Sequence, residues 1–168
     1  MSERHQILET TVKARILDTH KHLEALQTAV AAFSNDFGLP EFERAWAGDV
    51  DERLTTYPIQ AGYENVINGC MRIAQELCKL NGWSSANVEP NANEALNLLH
   101  ENGIITAKSR TALKGAYERR NGIQHDYVGM AAREIHQATL AVIEHAPSLL
   151  QDVALNLNQR RWQSRAHE

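Results

Sequence analysis

Apolar side chains recur along the first third of the chain with a helical period. Val12, Ile16, Leu23, Leu26, Val30 and Phe33, with Thr19 in register, follow 4-3-4-3-4-3 spacing. This is the buried stripe of one long helix. Gly38 and Pro40 in NDFGLP end it. The acidic segment EFERAWAGDVDERLTT, residues 41–56, leaves room for one short helix. Pro58 can open the next long one, in which Tyr63, Val66, Ile67, Cys70, Ile73, Ala74, Leu77 and Leu80 keep helical spacing as far as NGW. SSANVEPN reads as a loop, and ANEALNLLHENG as a short helix with Gly103 at its C-cap. Thr106 can cap a helix running to Arg120. A last helix, from Ala131 to Val153, carries Ile135, Ala138, Val142, Leu149 and Val153, with Pro147 expected to kink or divide it. Nothing alternates with period two, and no internal repeat is visible. The pattern predicts an all-α bundle of four main helices plus short ones.

Composition narrows the class. At 168 residues the chain has the length of one domain, so residues 1–168 are read as a single unit. An acidic insert near 35–57 and a basic tail at 157–168 are its atypical parts. Hydrophobic content of 43%, charged content of 23% and a net charge of -4 fit a globular protein, not one that coats nucleic acid by bulk charge. No run approaches a membrane span, and the charged N-terminus lacks a signal-peptide core, so the expected location is cytoplasmic with no membrane partner. Cys70 and Cys78 lie on an apolar stripe and are expected as buried free thiols. No phosphate-cradling glycine loop, HExxH or paired CxxC is present. His20 and His22 would face different sides of a helix, which argues against a metal site there.

The chemistry concentrates in YERRNGIQHDYVG, residues 117–129. In an unbroken helix Arg120 and His125 would point about 140° apart. The Asn121–Gly122 pair is expected to weaken the helix and let them converge. Arginine offers a fixed cationic fork for phosphate, histidine exchanges protons near neutrality, and Asn121 both donates and accepts hydrogen bonds. That inventory suits phosphodiester cleavage without a metal. As plain structure, the same residues would be a helix-end arginine paired with an acid and a histidine capping a carbonyl.

RNGIQHDY resembles the Arg-x4-His-x-Tyr signature of the HEPN superfamily, in particular the HepT-like toxins, in which an asparagine often follows the arginine. The order of LNLLHENGIITAKSRTALKGAYERRNGIQHDY, and YENVINGCMRIAQEL before it, is similar to the family's helices. The resemblance implies a HEPN-type bundle and a homodimeric, metal-independent endoribonuclease with no cofactor. In it Arg120 and His125 would be the catalytic pair, Asn121 would hold the local geometry, and Tyr127 would be the signature tyrosine. It also implies a minimal nucleotidyltransferase as antitoxin, which in some members adds AMP to that tyrosine. Lys108, Arg110, Lys114 and Arg119 are the expected RNA contacts, although a solvated helix face explains them equally well. The alternative is a HEPN domain that binds a nucleotidyltransferase or nucleotide without cleaving anything.

Overall fold

The computed structural model describes residues 3–83, 89–123 and 128–165, and the side chains of all of these except 123, 128–130 and 160–165. The described residues form seven helices and no strand: α1 (Glu3–Phe33), α2 (Leu39–Ala47), α3 (Val50–Leu54), α4 (Tyr57–Asn81), α5 (Ala92–Glu101), α6 (Ala107–Ile123) and α7 (Val128–Arg165). The expected all-α bundle is present, with α1, α4, α6 and α7 as its long members. No described helix is long and apolar enough to cross a membrane.

The most extensive packing is α1 against α4. Leu26 lies over Gly62 and Thr19 over Gly69, so the two helices run antiparallel. Gly62 and Gly69 stand seven residues apart on one face of α4, and without side chains there α1 can come close. A Cβ on Gly69 would sit 2.2 Å from Thr19 Oγ1 and 2.8 Å from Thr19 Cγ2. The other faces of α4 pack on α5 and α7, and α6 packs mainly on α7. Tyr63, Val66, Ile67, Cys70, Ile73, Ala74 and Leu77 are fully buried, as their spacing predicted. Cys70 and Cys78 are buried free thiols. Burial pushes the Cys70 thiol up to about 12, and burial together with Glu94 raises Cys78 to about 11.

Three local expectations need correction. The segment near 35–57 is not a loop with one short helix. It forms both α2 and α3, with Pro40 opening α2 and the Asp49 side chain accepting from the Glu52 N–H to cap α3. Phe42 and Trp46 turn this piece into core. Phe42 meets Phe33 and Phe37 edge-on, at ring-centroid distances of 5.6 and 5.5 Å. Phe37 stacks on His136 of α7 at 4.6 Å and accepts, through its carbonyl, a 2.6 Å hydrogen bond from His136 Nε2. Secondly, Pro147 does not divide the last helix, which runs on through Arg165. A proline inside a helix costs about 3 kcal/mol or more, but Val142, Ala146, Leu149, Leu150, Val153 and Leu157 are buried on both sides of it. Burial of several such side chains, at roughly 1.5–3 kcal/mol for each large one, outweighs that cost. Thirdly, α6 does not stop at Arg120 but continues through Asn121–Gly122 to Ile123, and the expected convergence of Arg120 with His125 falls on residues 124–127, outside those described. A helical glycine costs only about 1 kcal/mol relative to alanine, and Leu113 and Ala116 pin the helix to the core.

The α1–α4 seam yields a test. Gly69→Ala should lower unfolding free energy by about 1–3 kcal/mol through overpacking. Gly122→Ala, with nothing within 4 Å of the added Cβ, should be neutral or stabilising by up to about 1 kcal/mol. Adding Thr19→Ala should recover part of the Gly69→Ala loss. Urea denaturation of the three variants reads the difference.

Candidate active site

The motif expected to carry the site begins in the C-terminal half of α6, at Arg120 and Asn121. Thr106 starts this helix, its hydroxyl accepting from the Ser109 N–H at 3.1 Å. From there Ser109, Leu113 and Ala116 form the buried stripe, and Arg120 is the next position in the same 4-3-4 sequence. A guanidinium therefore stands where the stripe would call for a hydrophobe, beside the core rather than out in solvent. Arg120 Nε is buried with no hydrogen-bond partner among the described residues, and Nη1 donates to Asn121 Oδ1 at 3.1 Å. Asn121 itself is exposed.

Neighbouring side chains set the electrostatics. Arg119, one residue earlier, reaches across to Glu134 of α7, Nε to Oε2 at 2.7 Å. Arg120 has no carboxylate partner among the described residues. The fully buried Tyr63 hydroxyl, in α4, also lacks a hydrogen-bond partner among the described residues. Burial is the main reason its phenol is held well above the ordinary tyrosine value. Glu64 and Glu134 push the same way, while Arg120 and Arg119 oppose them. Tyr63 therefore stays a neutral phenol, within the electrostatic reach of both arginines.

The other expected site residues are placed as follows. Lys108 is held by Glu144 at 2.6 Å and Lys114 by Glu118 at 3.8 Å, so together with Arg119 three of the four expected RNA contacts already face a carboxylate. The Lys108 ammonium in turn holds the exposed Glu144 carboxyl below its ordinary value. Arg110, half-buried, has no ion pair among the described residues. His125 and Tyr127 lie outside the described residues. Among the described residues no three His, Cys, Asp or Glu side chains are grouped so as to hold a metal ion. Sequence reasoning missed Tyr63 as a neighbour of Arg120. Its only signal was its place on the apolar stripe of α4, which marks core and not proximity to a cation.

The family model described as Ribonuclease HepT-like matches residues 23–153, from within α1 to well inside α7. The chain belongs to the HepT-like ribonuclease family. The matched span takes in α2 to α6 whole and includes Arg120 and Asn121, so the residues around the half-buried Arg120 are part of what is matched. No curated protein and no solved structure gives a significant match to the chain.

The buried Tyr63 hydroxyl generates a prediction. A polar group buried without a partner carries a desolvation cost of about 1–3 kcal/mol. Tyr63→Phe should therefore keep or raise the melting temperature. A drop of several degrees would reveal a partner that the phenol depends on in solution.

Proposed function

We propose that the protein is an endoribonuclease toxin that cleaves RNA by attack of a 2′-OH on its own 3′ phosphate, giving a 2′,3′-cyclic phosphate and a 5′-OH. The observation that carries this reading is Arg120. In a chain of the HepT-like ribonuclease family, its guanidinium is braced by Asn121 and has no carboxylate partner among the described residues. A cation left unneutralised beside the core can receive the charge that builds on phosphorus in the transition state. Preorganised contacts of this kind typically supply about 3–4 kcal/mol.

In this reading His125 is the general base. A homodimer brings a second motif across the cleft, so that the partner subunit's His125 supplies the acid. Positioned proton transfer of this sort contributes about 10²–10⁴-fold. Residues 1–168 act as one domain of the HEPN type, with α2 and α3 as its insert. The antitoxin is a minimal nucleotidyltransferase, and attachment of AMP to Tyr127 silences the enzyme. The adduct would set a negative phosphate against Arg120 and put bulk in the path of RNA.

Two measurements test this. The purified protein, dimeric by light scattering, should degrade single-stranded RNA in EDTA. Arg120→Ala and His125→Ala should each reduce the rate at least about a hundredfold while leaving the helical circular dichroism unchanged. Undiminished cleavage by both variants would refute the assignment. Secondly, co-expression with a cognate nucleotidyltransferase and ATP should add mass in AMP units to the wild type and none to Tyr127→Phe. Neutralisation that persists in Tyr127→Phe would mean inhibition by binding alone.

A further inference from the structure

A polar pocket of about 250 Å³ opens along the α1–α4 seam, lined by Arg15, Asp18, Thr19 and His22 of α1 and by Asn65, Asn68, Gly69 and Arg72 of α4. None of these belongs to the segment from Arg120 to Tyr127. The lining is two facing stripes with helical spacing. The antiparallel register set by Leu26 over Gly62 and Thr19 over Gly69 decides which residues share an end. Arg15 and Arg72 fall at one end, where Arg15 Nη2 also stands 3.9 Å from Glu76. Asp18, Thr19, Asn68 and Gly69 occupy the middle, and His22 and Asn65 the other end.

The hydrogen-bonding capacity of this lining is largely unspent. Arg72 is exposed, and neither it nor Asn65 nor Asn68 has a hydrogen bond or ion pair among the described residues. Arg15 Nε is buried and unpartnered. Its contact to Glu76 is too long for a hydrogen bond, and Glu76 is shared with Lys79 at 3.7 Å. Among the described residues Asp18 meets only His22, Oδ2 to Nε2 at 3.7 Å. The pocket thus offers two guanidinium forks at one end, a carboxylate midway, and a carboxamide with an imidazole at the far end.

We propose that this pocket binds a 5′-phosphorylated ribonucleotide unit, free or at the end of an RNA strand. Two fixed cations at one end match the double charge of a phosphate monoester better than the single charge of an internal diester, and guanidinium forks suit its oxygens. Asp18, midway, accepts from ribose hydroxyls, as acidic residues do in dinucleotide sites. The Asn65 carboxamide, with a donor and an acceptor side by side, complements a base edge, adenine best of all. The volume lies just under the roughly 300–1,000 Å³ of drug-sized sites, which suits one nucleotide and not a run of them.

Calorimetry on the full-length protein tests this without reference to RNA cleavage. Adenosine 5′-monophosphate should bind with a dissociation constant below roughly 1 mM, and orthophosphate, adenosine and 2′-deoxyadenosine 5′-monophosphate each at least about tenfold more weakly. Arg72→Ala, at an exposed position, should weaken binding about tenfold with no change in melting temperature, and Asp18→Asn should erase the preference for ribose. A 5′-phosphorylated RNA tetramer, measured on the Arg120→Ala background, identifies the source. Tighter binding than the mononucleotide points to a strand end, and equal or weaker binding to a free nucleotide. The proposal is overturned if orthophosphate binds as well as the mononucleotide, if the deoxy compound binds equally, or if Arg15→Ala and Arg72→Ala both leave binding unchanged. A cleavage assay that fails while nucleotide binds would refute the ribonuclease reading and leave this one standing.

Discussion

Two glycines on one face of α4 set the geometry of this bundle. At Gly69 the gap to Thr19 is too small for even a methyl group, and at Gly62 a Cβ would lie 3.0 Å from Leu26 Cδ1. Such contacts fix helix register as well as distance, because sliding α1 along α4 by a turn would bring a larger side chain than Thr19 over Gly69. With α1 locked on one side, the remaining faces of α4 are free to carry α5 and α7, and α6 rests on α7. The seam also dictates which polar residues of α1 and α4 confront one another at the surface. The pocket between these helices is thus a by-product of how closely their backbones approach.

The same packing logic explains the arginine at the end of α6. Its buried stripe runs Ser109, Leu113, Ala116, Arg120. Helical period forces the fourth member toward the core whatever its chemistry. Arg119 points about 100° away and finds Glu134 instead. Adjacent residues of one type thereby acquire opposite roles: one ties α6 to α7, and the other keeps its charge available. A buried donor without a partner is costly, so the Arg120 Nε–H is a position where the fold gives up stability for an unspent interaction.

Much of this was legible in the residues. The stripes of α1 and α4 predicted their buried faces almost position by position, because a long amphipathic helix repeats its signal many times. Thr106 as a cap followed from local chemistry alone, and Gly103, expected at the C-cap of α5, stands one residue later, after the C-cap Asn102, at φ 71°. The segment near 35–57 misled because its helices are only nine and five residues long, and their apolar residues, Phe42 and Trp46, are two side chains among many acids. Burial of those rings against Phe37 and His136 is a tertiary effect with no period to announce it. Pro147 misled in the opposite direction, in so far as it was expected to divide its helix. A local breaker was weighed without the packing that overrides it. At the candidate site, the residue types and spacing of the motif were readable, whereas the pairing of Arg119 with Glu134 and the closeness of Arg120 to Tyr63 depend on which helices become neighbours.

The continuity of α6 changes what Asn121 and Gly122 can be for. A hinge at this point would have redirected the chain that follows it, whereas the helix runs on past Arg120 to Ile123. Asn121 is then left with one definable task, accepting from Arg120 Nη1. A short carboxamide one residue away can do this because it carries no charge. An aspartate in its place would make the same hydrogen bond but would neutralise the guanidinium. Gly122, exposed and with open space where a Cβ would sit, is not required by the helix, since alanine would serve it better by about 1 kcal/mol. Replacing it would therefore add a side chain beside Asn121 without disturbing the helix.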